Sequence, residues 1–416
     1  MPIANSPASA LVIGSGIVGL SSAIALQRRG IATTLVAPDA MHGTASWGNA
    51  GHVAVEQVEP LASFATVRGL PHRLFARGGA LSLEPRHLPT WLPFSLRLLW
   101  AARPRQFERG RAALTGLLAA AMPAWRRLAD AVGRPDLLVE HGHYVVWESA
   151  ASAAAGRARW MAAPKGTTQC FDLPAATLAR IQSLVRVPLA GGIGFGGSGQ
   201  IADLDALGDA LDAAFRALGG VRHAGTVTAI DPRPLAVRLA DGDVLGADIV
   251  LVAAGARSAP LLTPLGLRVP LVGERGYHLQ APAPAWPLDL APVVFEDRSM
   301  IATRFRTGLR AASFVEFGPP DAAPDPRKWE RLRAHADALG LPMEGAQPWM
   351  GARPTLPDYL PAIGAAARHP GLFYAFGHQH LGLTLGPLTG EIVAAAVTGG
   401  GVPGVDLAPF DLARFG

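Results

Sequence analysis

LVIGSGIVGLSSAIALQRRG, residues 11–30, decides the fold. An apolar run ends at Gly14, Gly16 and Gly19 in G-x-G-x-x-G spacing, and an Ala/Leu-rich helical pattern then runs from Leu20 to Gly30. In a strand-turn-helix of this kind Gly14 permits the tight bend, Gly16 lets the main chain approach a pyrophosphate, and Gly19 lets the helix pack closely on the strand. The helix N-terminus adds free N–H donors and a positive dipole end. Ser15, Ile17 and Val18 complete the turn, and residues 32–37, ATTLVA, read as the next strand. A lone glycine fingerprint is weak, but one set between strand, helix and strand points to a dinucleotide site. One part is missing: the acidic residue that closes the second strand and holds the adenosine ribose. Ala37 stands in its place, which leaves the ribose either to Asp39, just beyond in the loop, or to water and main-chain groups.

Outward from that turn, the chain is too long for one ordinary core: 416 residues imply two domains. Half the residues are apolar, yet Pro and Gly interrupt every apolar run, so the composition is that of a globular chain without an uninterrupted membrane span. The N-terminus lacks the basic region of a signal peptide, and a cytoplasmic protein is expected. The net charge of +5 and pI near 9.9 come from dispersed arginines; no dense basic and aromatic run marks a nucleic-acid partner. Lys165 and Lys328 are the only lysines, and Cys170 is the only cysteine, which excludes an intramolecular disulfide or a Cys-based metal cluster; no metal site is expected. The segment from Trp91 to Trp100, followed by Arg103 and Arg105, suits either an interfacial helix at the inner face of a membrane or a buried helix of the second domain.

The texture changes twice more. After Gly51 come irregular segments, helical stretches such as Ala112 to Ala131, and a strand at residues 143–147. The α/β pattern returns with a helix at Asp203 to Leu218, a strand from Val227, a D-G hairpin at Asp241-Gly242, and the buried run at 248–252 that ends in Ala254-Gly255. Strands dominate from Leu265 to about Gln347, with an exposed loop at Pro319 to Pro326. The chain closes with a strand at 373–376, a glycine turn, and a helix at Thr389 to Val397. These alternations divide the chain into a nucleotide domain of residues 1–60, 197–262 and 350–416, and a substrate domain of residues 61–196 and 263–349.

Several short motifs recur in a fixed order: GSGIVG at 14–19, SWGNAG at 46–51, VAAG at 252–255, Gly276-Tyr277, WMGARP at 349–354 and GHQHLGLT at 377–384. Together they resemble the D-amino acid oxidase superfamily, in particular the bacterial D-amino acid dehydrogenases. The resemblance implies an α/β and α+β fold, in which a Rossmann-like FAD-binding domain is interleaved with a substrate domain on a mostly antiparallel sheet. It implies noncovalent FAD with its pyrophosphate on the glycine turn, Ser46, Asn49, Ala50 and Gly51 along the cofactor, Val227 at the adenine, and Ala254 with Gly255 over the pyrophosphate or ribityl chain. The turn of Gly377, His378, Gln379, His380, Leu381, Gly382, Leu383 and Thr384 would cover the flavin ring, with Gly351 close by.

The same resemblance makes Arg353 the carboxylate-binding residue, and a planar guanidinium suits a carboxylate by two parallel hydrogen bonds. It places Tyr277 over the substrate, with His278 on the opposite strand face, and it makes His378 and His380 candidates for substrate or flavin contact; Arg304 is a weaker candidate. The implied reaction is hydride transfer from the α carbon of a D-amino acid to flavin N5, with electrons passing to a quinone or another redox protein. The turn GHQHLGLTLGP is similar to that of D-proline and cis-4-hydroxy-D-proline dehydrogenases, whose product is a cyclic imine. Two other classes stay open: a glycine or sarcosine oxidase using oxygen, and a flavin-binding RNA-associated module.

Overall fold

The computed structural model describes residues 7–38, 44–63, 69 and 73–416. Two large sheets organise them. The first has six strands in the spatial order Val221–Ala224, Ala32–Ala37, Ser9–Ile13, Ile249–Val252, Leu372–Phe376 and Ala362–Ala365. All neighbours are parallel except the last pair. Strands buried on both faces must be continuously apolar, and IVLV at 249–252 and LFYAF at 372–376 are. The chain moves outward from Ser9–Ile13 to one side first and to the other side later, so the crevice beyond Ile13, Val36 and Val252 lies at a topological switch point, where doubly wound sheets bind ligands.

Two helices cross beside this sheet: Ile17–Gln27 and Gly382–Val397. A Cβ at Gly386 would lie 2.6 Å from the Ile17 side chain, and one at Gly390 would lie 2.6 Å from the main chain of Ser21. Contacts that advance by four residues on both helices mean the two run the same way. Their N-termini therefore share one end of the molecule.

The second sheet runs in the order Gln347–Thr355, Val272–Ala281, Gly308–Gly318, Met300–Phe305, Val293–Phe295, His143–Trp147, Gly191–Gly196 and Gln169–Asp172, mostly antiparallel. Helix Pro326–Leu339 covers one of its faces through Leu332, Ala336 and Leu339. The other face looks toward the nucleotide sheet.

The division of the chain differs from the sequence reading at two places. The boundary at residue 350 falls inside the strand Gln347–Thr355, all of which pairs in the second sheet. The stretch read as one helix at 112–131 is two, Pro104–Ala119 and Ala121–Ala131, and Leu114, Leu117, Leu118 and Trp125 bury against the nucleotide-side core. An apolar helix face does not state which of two cores it joins. Asp203 caps the helix Leu204–Ala217 by accepting from Ala206 N at 2.9 Å, and Gly242, at φ +100°, turns the expected hairpin.

Candidate active site

The glycine turn is built by contact. Gly14, at φ +113°, has the Ala253 carbonyl where a Cβ would lie, at 2.5 Å, and a Cβ on Gly19 would lie 1.8 Å from the Gly14 oxygen. Neither position accepts a side chain. Ala254 and Gly255 continue the neighbouring turn, so both strand ends meet over the helix N-terminus. Neither Ile17–Gln27 nor Gly382–Val397 carries a side-chain cap or an acidic residue in its first turn. Two positive helix ends without local carboxylates suit the two electron-rich parts of a flavin dinucleotide, its pyrophosphate and its pyrimidine carbonyls.

The loop from Ser46 to Gly51 is held from several sides. Ser46 Oγ accepts from Ile17 N at 3.0 Å, Asn49 Nδ2 donates to Ser46 O at 2.6 Å, and Asn49 Oδ1 accepts from Gly51 N at 2.6 Å. Arg310, from the second sheet, donates to the Asn49 carbonyl and clamps Gln280 Oε1 at 2.8 and 2.6 Å. Burial pushes its guanidinium down to about 10. His278 Nδ1 contacts the Gly48 carbonyl at 2.9 Å, while its ring stacks on Trp349 at 4.8 Å. The Trp349 ring fills the space over Gly48, and a Cβ there would lie 2.1 Å from it. Ala50 stays partly exposed between Asn49 and Gly51. Thr44 Oγ1, Trp47 Nε1 and Gln379 Oε1 are buried without a protein partner, which fits loops that hand polar groups to a bound molecule. Val227 opens a strand beside Gly225, whose N–H bonds the Ala37 carbonyl, so Val227 lies next to the end of the strand Ala32–Ala37. Asp39 lies outside the described residues.

Arg353 stands on the second sheet directly opposite Glu274. Its Nη1 donates to Glu274 Oε1 at 3.1 Å and to the Phe314 carbonyl at 3.3 Å, and its guanidinium lies over Gly276, where a Cβ would be 2.2 Å from Nη2. Thr355 and Tyr359 hydroxyls donate to Glu274 Oε2, each at 3.2 Å. The Arg353 side chain is 28% exposed against 2% for Glu274. One edge of the fork is thus anchored on a buried carboxylate while the rest remains accessible. His380 lies within electrostatic reach of Arg353, Glu274, Glu56 and His52, and burial lowers its ring to about 4. It is neutral at physiological pH and can both donate and accept.

Three sequence candidates are elsewhere. Tyr277 is buried on the opposite face of its strand: its hydroxyl donates to Glu316 Oε2 at 2.9 Å and accepts from Arg275 Nη2 at 2.9 Å and Asp325 N at 3.1 Å. Burial pushes it up to about 12. It belongs to an ion cluster with Lys328, not to the crevice, and His278 takes the crevice-facing position instead. His378 is buried with Nε2 at 3.0 Å from Thr389 Oγ1, and burial holds the ring at about 3; it fastens the turn to the helix behind it. Arg304 donates to the Trp286 and Phe305 carbonyls, also away from the crevice. Within the turn, Gly377 takes φ +78° and Gln379 φ +48°, and Gln379 Nε2 donates to the Tyr359 carbonyl. Thr384 Oγ1 accepts from Ala54 N at 2.9 Å. Leu381 and Leu383 join the core; Leu381 N donates to the His378 carbonyl at 2.8 Å, and the Leu383 carbonyl accepts from Trp125 Nε1 at 3.1 Å.

Sequence reasoning missed Glu274, Arg310 and a buried group beside the crevice: His52, Glu56 and His143. His52 places Nδ1 3.1 Å from the Gly199 carbonyl and Nε2 3.1 Å from Glu56 Oε1. Burial alone would raise the Glu56 carboxyl, but the neighbouring histidines outweigh it and hold the group at about 2. The i, i+4 spacing of His52 and Glu56 was the only available signal.

Comparison with known proteins gives the family and the fold. The family model described as FAD dependent oxidoreductase (DAO) matches residues 9–396. The chain is 31% identical to a D-amino-acid oxidase of Bradyrhizobium diazoefficiens, covering 97% of this chain and 98% of that protein. It is 32% identical to D-amino acid dehydrogenase 2 of Pseudomonas aeruginosa, covering 93% and 94%. In fold it is similar to glycine oxidase from Geobacillus kaustophilus, with a TM-score of 0.72 at 23% identity over 98% of both chains. It is likewise similar to L-proline dehydrogenase from P. horikoshii, with a TM-score of 0.67 at 15% identity over 100% and 98%.

Proposed function

The chain belongs to the DAO family of FAD-dependent oxidoreductases, and from that premise we propose that it dehydrogenates a D-amino acid, with D-proline or cis-4-hydroxy-D-proline preferred and a quinone or redox protein as acceptor. The observation that carries this reading is the Arg353–Glu274 pair facing the cofactor loop, with neutral His380 beside it. Relatives that are at least 30% identical over nearly the whole chain and are named D-amino-acid oxidase and D-amino acid dehydrogenase support the substrate class.

Bound FAD supplies the electron-pair acceptor. The protein's part is to bind and orient. The accessible edge of Arg353 receives the substrate carboxylate, and Glu274 fixes the guanidinium plane so that orientation is set before binding. His380 offers a hydrogen bond to a ring hydroxyl without bringing a charge. The Trp349 and His278 stack keeps the cofactor loop against the sheet and closes that side to water. A cyclic amine leaves as a cyclic imine; a primary amine leaves as an imine that water hydrolyses to a 2-oxo acid.

Steady-state turnover with a dye acceptor tests the substrate: cis-4-hydroxy-D-proline and D-proline should exceed D-alanine in kcat/KM, and a clear D-alanine preference overturns the cyclic-amine reading. The oxidase name of the Bradyrhizobium relative favours oxygen as a second acceptor reading. Against it, Lys165 is spent on the carbonyls of Trp160, Met161 and Ala163, and Lys328 on Glu316 and Asp325, so neither is at the site to assist oxygen. Peroxide formed as fast as dye is reduced would establish the oxidase.

A further inference from the structure

Helix Leu88–Ala101 is apolar on two opposite sides. Its inner side packs Phe94 against Phe317, with Ala101 and Leu98 in a small cluster with Tyr359. Its outer side exposes Leu88, Leu92, Leu96, Leu99 and Trp100 by 41–60% of their surface. At 100° per residue these five fall within an arc of roughly 120°, so they form one stripe. A helix apolar all round belongs in a core or against lipid, and contiguous apolar surface of this kind marks an interaction site.

Charge decides what covers it. The helix has no acidic residue, and along its flank and into the next helix stand Arg97, Arg103, Arg105 and Arg109. Several other arginines of this protein are paired to a carboxylate, as Arg111 is to Glu108, Arg126 to Glu140 and Arg127 to Glu391. Those four form no ion pair among the described residues; Arg103 instead lies over the Trp100 ring at 5.7 Å. Beside the stripe a cavity of about 830 Å³ opens against the same helix, with exposed Arg97, Arg109 and Arg268 and with Trp100, Phe107 and Leu360 among its lining residues. Apolar walls with cations at the rim match a phospholipid, acyl chain inward and phosphate on the guanidinium groups. Among the described residues one helical run is long and apolar enough to span a bilayer, Gln379–Val397, and 78% of its apolar window is buried in the core; the helix at Leu88–Ala101 offers a surface to dock on.

We propose that helix Leu88–Ala101 and the arginines around it seat this protein on an anionic phospholipid surface. The test is sedimentation of the FAD-loaded full chain with vesicles of phosphatidylcholine alone, and of phosphatidylcholine with about a quarter phosphatidylglycerol. The protein should pellet with the anionic vesicles, stay in solution with the neutral ones, and be released as salt rises. Arg97→Gln/Arg103→Gln/Arg105→Gln should weaken partitioning about a hundredfold, and Leu92→Ser/Leu96→Ser about tenfold or more. Both variants should keep wild-type turnover in vesicle-free buffer. The proposal is overturned if the wild type ignores anionic vesicles, if it binds both vesicles equally, or if the variants bind as the wild type does. It is also overturned if ultracentrifugation shows a self-association that Leu96→Ser abolishes without any vesicle binding, since the occupant would then be a second copy of the chain.

Discussion

Arg353→Ala removes a guanidinium that has two partners, one in the protein and one in the substrate, and the two losses can be separated. Toward substrate, the fork offers two charge-assisted hydrogen bonds, each worth about 1.5–3 kcal/mol. Because the side chain is 28% exposed, solvent screening brings the sum toward about 3–4 kcal/mol, or roughly a hundred- to a thousandfold in kcat/KM. Toward the protein, the change leaves the Glu274 carboxylate buried with only the Thr355 and Tyr359 hydroxyls, at about 1–3 kcal/mol of stability. Glu274→Gln in the same chain removes that orphaned charge while keeping an acceptor for both hydroxyls. The single variant should therefore lose both melting temperature and kcat/KM, and the double variant should regain the first without the second. The assays are thermal unfolding of the FAD-bound protein and anaerobic stopped-flow reduction against substrate concentration. If the double variant regains a wild-type KM together with its Tm, Arg353 is a structural cation and the carboxylate lies elsewhere.

Tyr277→Phe deletes a hydroxyl with three partners on the far face of the sheet; Tm should fall, by about 1–3 kcal/mol of stability, with KM for the amino acid unchanged, and a raised KM would return Tyr277 to the site. Gly19→Ala puts a Cβ 1.8 Å from the Gly14 oxygen, so the purified protein should lose its flavin absorbance; a fully yellow variant would refute the glycine turn as cofactor cradle. Burial lowers His143, His278, His378 and His380 from 6.5 to about 3, 2, 3 and 4. Below pH 6.5 the unfolded chain therefore binds more protons than the folded one, and stability is lost as pH falls. At pH 5 each ring costs about 2 kcal/mol, together of the order of a domain's whole stability. Tm should drop steeply between pH 6.5 and 5 and more gently in His143→Gln, and a flat profile there would refute the buried neutral rings.

The glycine turn was legible because its determinants are local. Three glycines within six residues of one another, followed by a helix without an acidic first turn, specify their own geometry wherever the rest of the chain goes. The candidate substrate residues came only through resemblance. Glu274 is far from Arg353 in sequence, and only the register of two antiparallel strands sets them face to face. Arg310 reaches the cofactor loop from a third strand by the same means. Period-two alternation correctly put Tyr277 and His278 on opposite faces, yet nothing in it said which face looks at the crevice. The helix pair at 104–131 shows the same limit: its apolar stripe was readable, and the core it joins was not.

Register is therefore what the chemistry depends on, and one strand controls it. Along Val272–Ala281, Glu274 and Gly276 serve Arg353, His278 serves Trp349 and the Gly48 carbonyl, and Gln280 serves Arg310, while Arg275 and Tyr277 point the other way. A slip by one residue would exchange the two sets. It would carry the Arg275 guanidinium, now donating to the Ala322 and Ala323 carbonyls, onto the cofactor face, and would leave Glu316, Lys328 and Asp325 buried without it. Breaking a buried ion cluster in this way costs about 3–5 kcal/mol, a large share of a domain's net stability. The cluster behind the sheet touches neither cofactor nor substrate, but by excluding the slipped pairing it keeps Arg353 opposite Glu274 and the indole of Trp349 over Gly48.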